Sequence, residues 1–267
     1  MSISKTLRKL VRKSLGDSGD PSRLIPPMEL IDGIGGGGEA AFVEVGREFF
    51  RHLVDKGGLR PTDRVLDVGC GCGRIAVALL PYLQAPGEYW GFDIVRPAVL
   101  WAQSHIASRQ PNFHFDTIDV YNRQYNRRGK IPPEQYRFAC ASDFFDFTFL
   151  TSVFTHLLAP DMRQYLREIA RTLKPGGRCL VTYYILNAES RVLMDKAKAS
   201  ISFAHPYPDC MVQFADIPEA AVAFEESFIR QCFAECGLDI VEPIHFGQWC
   251  GREKFLSHQD VIIATKR

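Results

Sequence analysis

Much that would narrow the function of this chain is missing from it. No apolar run approaches the roughly 18 residues needed to cross a bilayer. The basic N-terminus has neither the apolar stretch nor the small-residue cleavage site of a secretory signal. There is no charge excess: 32 Lys and Arg stand against 31 Asp and Glu, a formal net charge of +1, which gives no reason to expect a nucleic-acid surface. The eight cysteines form no C-x-x-C pair and have no nearby His in ligand spacing, so no metal site is expected. Cys70 and Cys72 lie within one turn, and Cys232 and Cys236 sit one helical turn apart. All are expected to be buried, reduced thiols of a cytoplasmic protein. No internal repeat is found. What remains is a chain of 267 residues, 46% hydrophobic, long enough for one α/β domain with an elaboration.

The chemistry centres on Val65-Leu66-Asp67-Val68-Gly69-Cys70-Gly71-Cys72-Gly73-Arg74. A short apolar run, three glycines and the helix-like Ile75 to Leu80 read as strand, Gly-rich turn and helix. Glycines there can take positive φ and bring backbone close to a ligand, at the strand end where open α/β sheets bind ligands. A dinucleotide site wants G-x-G-x-x-G. Here the spacing is G-x-G-x-G, and Arg74 stands where the third small residue would be. The carboxylate of Asp67 would repel a pyrophosphate and attract a sulfonium or amino group. Tyr89 to Ile94 reads as the second strand and ends in Asp93, an acid placed to accept hydrogen bonds from ribose hydroxyls.

D-V-G-C-G-C-G resembles motif I of the class I methyltransferases that use S-adenosylmethionine. Phe145-Asp146 followed by Ser152-Val153-Phe154-Thr155-His156-Leu157 resembles the fourth-strand motif of bacterial small-molecule and glycan methyltransferases. Leu173-Lys174-Pro175-Gly176-Gly177 resembles their turn before the fifth strand. The resemblance spans roughly residues 60–267. It implies a doubly wound α/β fold: a seven-stranded, mostly parallel sheet with an antiparallel C-terminal hairpin. The pattern of this chain adds an N-terminal helical extension (1–40) before the domain (41–267) and a cap insertion at about 188–218. Carried over by position, Asp67 with Gly69, Cys70, Gly71 and Gly73 faces the methionine portion. Asp93 faces the ribose with Ile94 beside it, Asp119 and Val120 the adenine, and Ser152 and Val153 the pocket floor. Asp116 competes with Asp119 but lies inside the third strand. The implied cofactor is S-adenosyl-L-methionine, leaving S-adenosyl-L-homocysteine. The implied reaction is methyl transfer to an O or N atom of a small molecule or glycan.

A hydroxyl acceptor wants a base. His156 is the first candidate, with a structural histidine as the alternative; His205 and His245 follow. Tyr183, Tyr184 and His205 either orient substrate or pack. Three other readings stay open: a non-catalytic S-adenosylmethionine-binding protein, a nicotinamide oxidoreductase (opposed by Asp67 and Arg74), and methylation of a lipid or macromolecule. No Asn-Pro-Pro-Tyr-type motif suited to a flipped base is present.

Along the chain, residues 4–15 form a basic amphipathic pattern, either a membrane-surface or docking helix or a solvated terminal one. Residues 16–27 read as linker. The glycines at 33–38 read as a cover over the cofactor or as a hinge. Helices are expected over 41–56, 97–109, 190–199 and 219–236, with a further helix capped by Asp161 and running to Thr172. Strands are expected over 112–119, 144–150, 178–184, 238–249 and 259–265. The long connection 121–142 either walls the substrate pocket or decorates the surface. The irregular Pro-rich stretch 203–210 suits a substrate cap.

Overall fold

The computed structural model describes residues 24–33, 35–196 and 199–267. The helix expected over 4–15 and the start of the linker lie outside these residues. The chain divides into two compact units, 1–118 and 119–267. Among the described residues no helix is long and apolar enough to cross a membrane.

In the first unit, α1 (Met28–Asp32) and α2 (Gly38–Asp55) precede β1 (Arg64–Val68), α3 (Arg74–Leu79), β2 (Glu88–Asp93), α4 (Arg96–Ala102) and β3 (Phe113–Thr117). The strands run parallel in the order β1-β2-β3, with Val65 opposite Tyr89 and Tyr89 opposite Phe113. Every residue of β1 after Arg64 is buried, as a strand covered on both faces requires. Helix α2 buries Phe42, Phe49 and Leu53, one stripe at helical spacing. At Gly46 it comes so near the start of α3 that a Cβ would lie 2.6 Å from the Arg74 carbonyl. The helix expected over 97–109 stays regular only to Ala102 and then loosens into a π-type turn over Gln103–Ala107, where the Gln103 amide donates to the Phe115 carbonyl.

The second unit contains β4 (Phe145–Leu150), α5 (Ala159–Thr172), β5 (Leu173–Tyr183), β6 (Ile185–Leu186), α6 (Ala188–Asp195), β7 (His205–Tyr207), β8 (Cys210–Val212), β9 (Val222–Glu225), α7 (Glu226–Glu235), β10 (Leu238–Ile240) and β11 (Asp260–Lys266). Its four main-sheet strands run β10-β11-β5-β4, with β4 parallel to β5 and β11 antiparallel to it. The main sheet has seven strands. A second sheet, β6-β9-β8-β7, lies wholly within this unit.

Several local expectations are corrected. Leu173 to Gly177 does not form a separate turn. It is absorbed into β5, and the register against β4 shifts between Phe145 and Phe147, the mark of a bulge. Asp161 is not the N-cap of α5; it sits in the first turn and accepts the Leu158 amide from there. The Pro-rich stretch 203–210 is a hairpin, β7 and β8, turned at Asp209 with φ 60°. The helix expected from Glu219 begins only at Glu226, because Val222, Ala223 and Phe224 are all buried in strand β9. The expected strand 238–249 shrinks to Leu238–Ile240. Beyond it the pairing becomes irregular, with an isolated bridge between His245 and Val261 and single backbone bonds from Val241 to Ile263 and from Trp249 to His258.

Candidate active site

In the first unit the turn after β1 is built from Gly69, Gly71 and Gly73, with φ of 82°, 53° and 80°. At Gly73 the need for glycine is also steric, since a Cβ would meet Ile106 at 2.6 Å. The amides of Gly69 and Cys70 both donate to the Phe92 carbonyl, at 2.9 and 3.1 Å, so the turn hangs on the end of β2. Asp93 closes it. One carboxylate oxygen accepts the Gly71 amide and the other the Val95 amide, each at 2.7 Å. Burial raises the Asp93 pKa although these bonds oppose the shift. Ile94 follows half-buried.

Asp67 is buried in β1, and the Tyr89 hydroxyl donates to it at 2.5 Å. Burial pushes its pKa up to about 8; the Tyr89 bond pulls the other way and the Asp93 charge adds to the rise. The thiols flanking Gly71 are inert by the same cause. Burial lifts Cys70 well above the ordinary thiol range and Cys72 to about 12. Six of the eight cysteines are buried and all are free, and no group of acids, cysteines and histidines among the described residues could hold a metal. Tyr89 escaped the sequence reading because a tyrosine in an apolar strand looks like core.

In the second unit Asp119 is exposed, and its carbonyl accepts the amides of Lys130 and Ile131. Val120 is buried and bridges Ile131. Ser152, just past β4, holds a left-handed φ of 59°. Its amide donates to the Thr182 hydroxyl at 2.8 Å and its hydroxyl to Gln259 at 3.1 Å. Val153 is half-buried. A non-glycine residue in that region carries strain of about 1–3 kcal/mol, and such residues cluster at functional sites.

Tyr183 is fully buried and stacks on Phe154 at 4.9 Å, and its hydroxyl has no hydrogen-bond partner among the described residues. Tyr184 is buried against Phe203 and Trp249, its hydroxyl accepting from Gln259 at 3.4 Å. His205 is exposed on β7, and His245 is bridged to Val261.

His156 sits in a built environment. Its Nδ1 lies 2.9 Å from the Glu219 carbonyl. A carbonyl only accepts, so Nδ1 carries the proton and Nε2 keeps a lone pair. The Tyr125 hydroxyl stands 3.4 Å from Nε2, with the rings edge to face at 5.1 Å. Burial lowers the His156 pKa, against the Glu219 and Ala220 backbone bonds. Asn122, also buried, donates to the His156 carbonyl at 3.1 Å. A neutral imidazole with a fixed tautomer and its Nε2 lone pair turned toward a hydroxyl has the form of a general base.

A family model described as a methyltransferase domain matches residues 42–242. Among curated proteins, a demethylmenaquinone methyltransferase of Lactiplantibacillus plantarum is 38% identical over 122 residues, 44% of this chain and 44% of that protein. Methyltransferase GfsG of Streptomyces halstedii is 28% identical over 140 residues, 52% of this chain and 44% of that protein. The matched part of the chain thus spans less than half the length of either relative. Among solved structures, a SAM-dependent methyltransferase of Methanosarcina mazei has a TM-score of 0.53 at 18% identity, covering 80% of this chain and 96% of that one. Magnesium protoporphyrin IX methyltransferase of Synechocystis PCC 6803, solved with bound SAH, has a TM-score of 0.54 at 16% identity, covering 97% and 100%. At those identities the likeness concerns the fold.

Proposed function

With the chain a member of the methyltransferase-domain family and its fold that of the class I S-adenosylmethionine-dependent enzymes, we propose that it moves a methyl group from S-adenosylmethionine to an O or N atom of a small molecule or glycan. The observation that carries this is the bonded set Asp67–Tyr89 and Gly71–Asp93 around the glycine turn. The set suits the cofactor. Asp67 is a buried carboxyl whose charge a nearby cation would restore, and each Asp93 oxygen that accepts one amide keeps a lone pair for a ribose hydroxyl. Asp119, Val120, Ser152 and Val153 take their adenine and pocket roles from the resemblance.

When bound, S-adenosylmethionine supplies a methyl group already activated on a sulfonium, so the protein's share is alignment, desolvation and proton handling. Asp67 and the glycine turn orient the methionine end, and Asp93 fixes the ribose. For a hydroxyl acceptor, His156 Nε2 takes the proton, and the imidazolium so formed is steadied by its Nδ1–H bond to Glu219.

Isothermal titration with S-adenosylmethionine and S-adenosylhomocysteine, with NAD as control, tests the cofactor. Saturable binding of the first two, weakened at least about tenfold in Asp93→Ala by loss of a charged hydrogen-bonding partner, is the expected result. Binding of NAD alone, or of nothing, overturns the reading. For the base, His156→Ala should keep cofactor affinity and lose about 10²–10⁴ in turnover of a hydroxyl acceptor. Full turnover in that variant removes His156 from the mechanism.

A further inference from the structure

The connection after Val120 reads Tyr121-Asn122-Arg123-Gln124-Tyr125-Asn126-Arg127-Arg128-Gly129-Lys130. It carries four cations, and no acid occurs between Asp119 and Glu134. The cations are all exposed, and among the described residues none of them pairs with a carboxylate; Arg127 Nε donates to the Arg123 carbonyl at 2.8 Å. Elsewhere in the second unit surface cations are commonly neutralised, as in Arg163–Glu235, Lys174–Asp146 and Arg230–Glu226. A solvated charged face would carry mixed signs. This one carries a single sign, on a protein of net charge +1.

The loop is also stiff. Asn122 and Asn126 exchange backbone bonds at 3.1 and 2.9 Å. The Asn122 side chain accepts the Gln124 and Tyr125 amides, and the Asn126 side chain donates to the Val120 carbonyl at 2.9 Å. Gly129 passes so near the chain that a Cβ would lie 2.4 Å from the Val120 carbonyl. This frame touches the proposed base twice, through Asn122 to the His156 carbonyl and through Tyr125 to Nε2. A rigid frame removes the cost of ordering the backbone on binding, so that only the side chains remain to be ordered. A monoanionic carboxylate needs one guanidinium fork, whereas three arginines and a lysine without counterions match a dianion better.

We infer that this loop recognises the methyl acceptor and that the acceptor bears a phosphate, with its reacting hydroxyl or amine presented to His156. The inference rests on the proposed function, which supplies the meaning of His156, but the anion site itself does not depend on cofactor binding.

The test uses the full 267-residue chain and the variant Arg123→Gln/Arg127→Gln/Arg128→Gln. Phenyl phosphate is titrated at low salt, followed by calorimetry and by the imidazole NMR signals of His156; benzyl alcohol serves as an uncharged control. The wild type should bind phenyl phosphate saturably, shift the His156 signals, and weaken as salt rises. The variant should bind it at least about tenfold more weakly, with S-adenosylhomocysteine affinity and melting temperature unchanged. Vesicles of phosphatidylglycerol in phosphatidylcholine form a second arm. If they bind wild type but not variant while phenyl phosphate fails, the phosphate is that of a lipid headgroup and the proposal holds in that form. Equal binding by variant and wild type overturns it. So does failure of both probes, or capture of single-stranded RNA with neither probe bound. If phenyl phosphate binds as stated and S-adenosylmethionine does not, the cofactor reading fails and the anion site stands.

Discussion

Asp67 is a carboxyl that folding holds where its charge is unwelcome, near a value of about 8. At pH 7 it is therefore mostly protonated in the free protein, and a cationic ligand beside it favours the ionised form. Binding should release a proton. The affinity for S-adenosylmethionine should rise from pH 6 to pH 8, by at most about tenfold per unit. At pH 7 the calorimetric enthalpy should depend on the ionisation heat of the buffer, with a proton released, and Asp67→Asn should abolish both effects. Buffer-independent enthalpy in the wild type would exclude Asp67 from the cation's environment. Asp67 and Asp93 were legible in the sequence because an acid at a strand end before or after a glycine turn has few structural reasons to be there. Tyr89, Asn122 and Tyr125 were not. Their roles depend on partners 22, 34 and 31 residues away, and no local pattern encodes such pairings.

Elements were legible where one period ruled. Helix α2 and strand β1 follow their apolar stripes. Val222 to Phe224 did not announce itself, because a short apolar run beside a helical pattern fits either structure. Pro206 argued against a strand at 205–207, yet β7 is the outer strand of its sheet, where a missing amide breaks no ladder. Lys174-Pro175-Gly176-Gly177 looked like a turn, and the strand runs through it by a bulge. The contact between α2 and α3 allows a test in which two effects compete. Gly46→Ala should gain about 1 kcal/mol from helix propensity. It should lose about 1–3 kcal/mol from forcing a methyl against the Arg74 carbonyl, backbone that has no rotamer with which to yield. Net destabilisation in urea unfolding is expected. A net gain would mean that α2 slides freely on α3.

At the scale of the whole molecule, four carboxyls share one electrostatic character: burial raises Asp93 above its ordinary value of 3.8, and raises Asp67 to about 8, Asp161 to about 7 and Asp260 to about 6. In each, the folded state keeps a proton that the unfolded chain has already lost, so stability falls as pH rises from about 4 toward 8. His156, with its lowered value, acts the other way, but only below its unfolded value near 6.5. Above that pH the carboxyls act first, and the buried thiols, which burial also raises, add to the fall as pH nears the ordinary thiol range. The melting temperature of the free protein should therefore drop between pH 7 and pH 8.5, and Asp67→Asn should make that drop shallower, most clearly between pH 7 and pH 7.5, before the thiols contribute. A wild-type melting temperature that is level or rising across this window would show that these carboxyls ionise at ordinary values. Asp260 has a second consequence. Its carboxylate accepts the Ile185 amide from 75 residues earlier, together with the Gly247 amide and the Trp249 indole, and its strand β11 covers the open side of β5. During synthesis at about 5–20 residues per second, β5 must wait on the order of 4–15 s for that strand to emerge from the ribosome. Until then a row of unpaired backbone groups in the middle of the future sheet lies bare, which makes this an interval in which a nascent chain needs shielding by a chaperone.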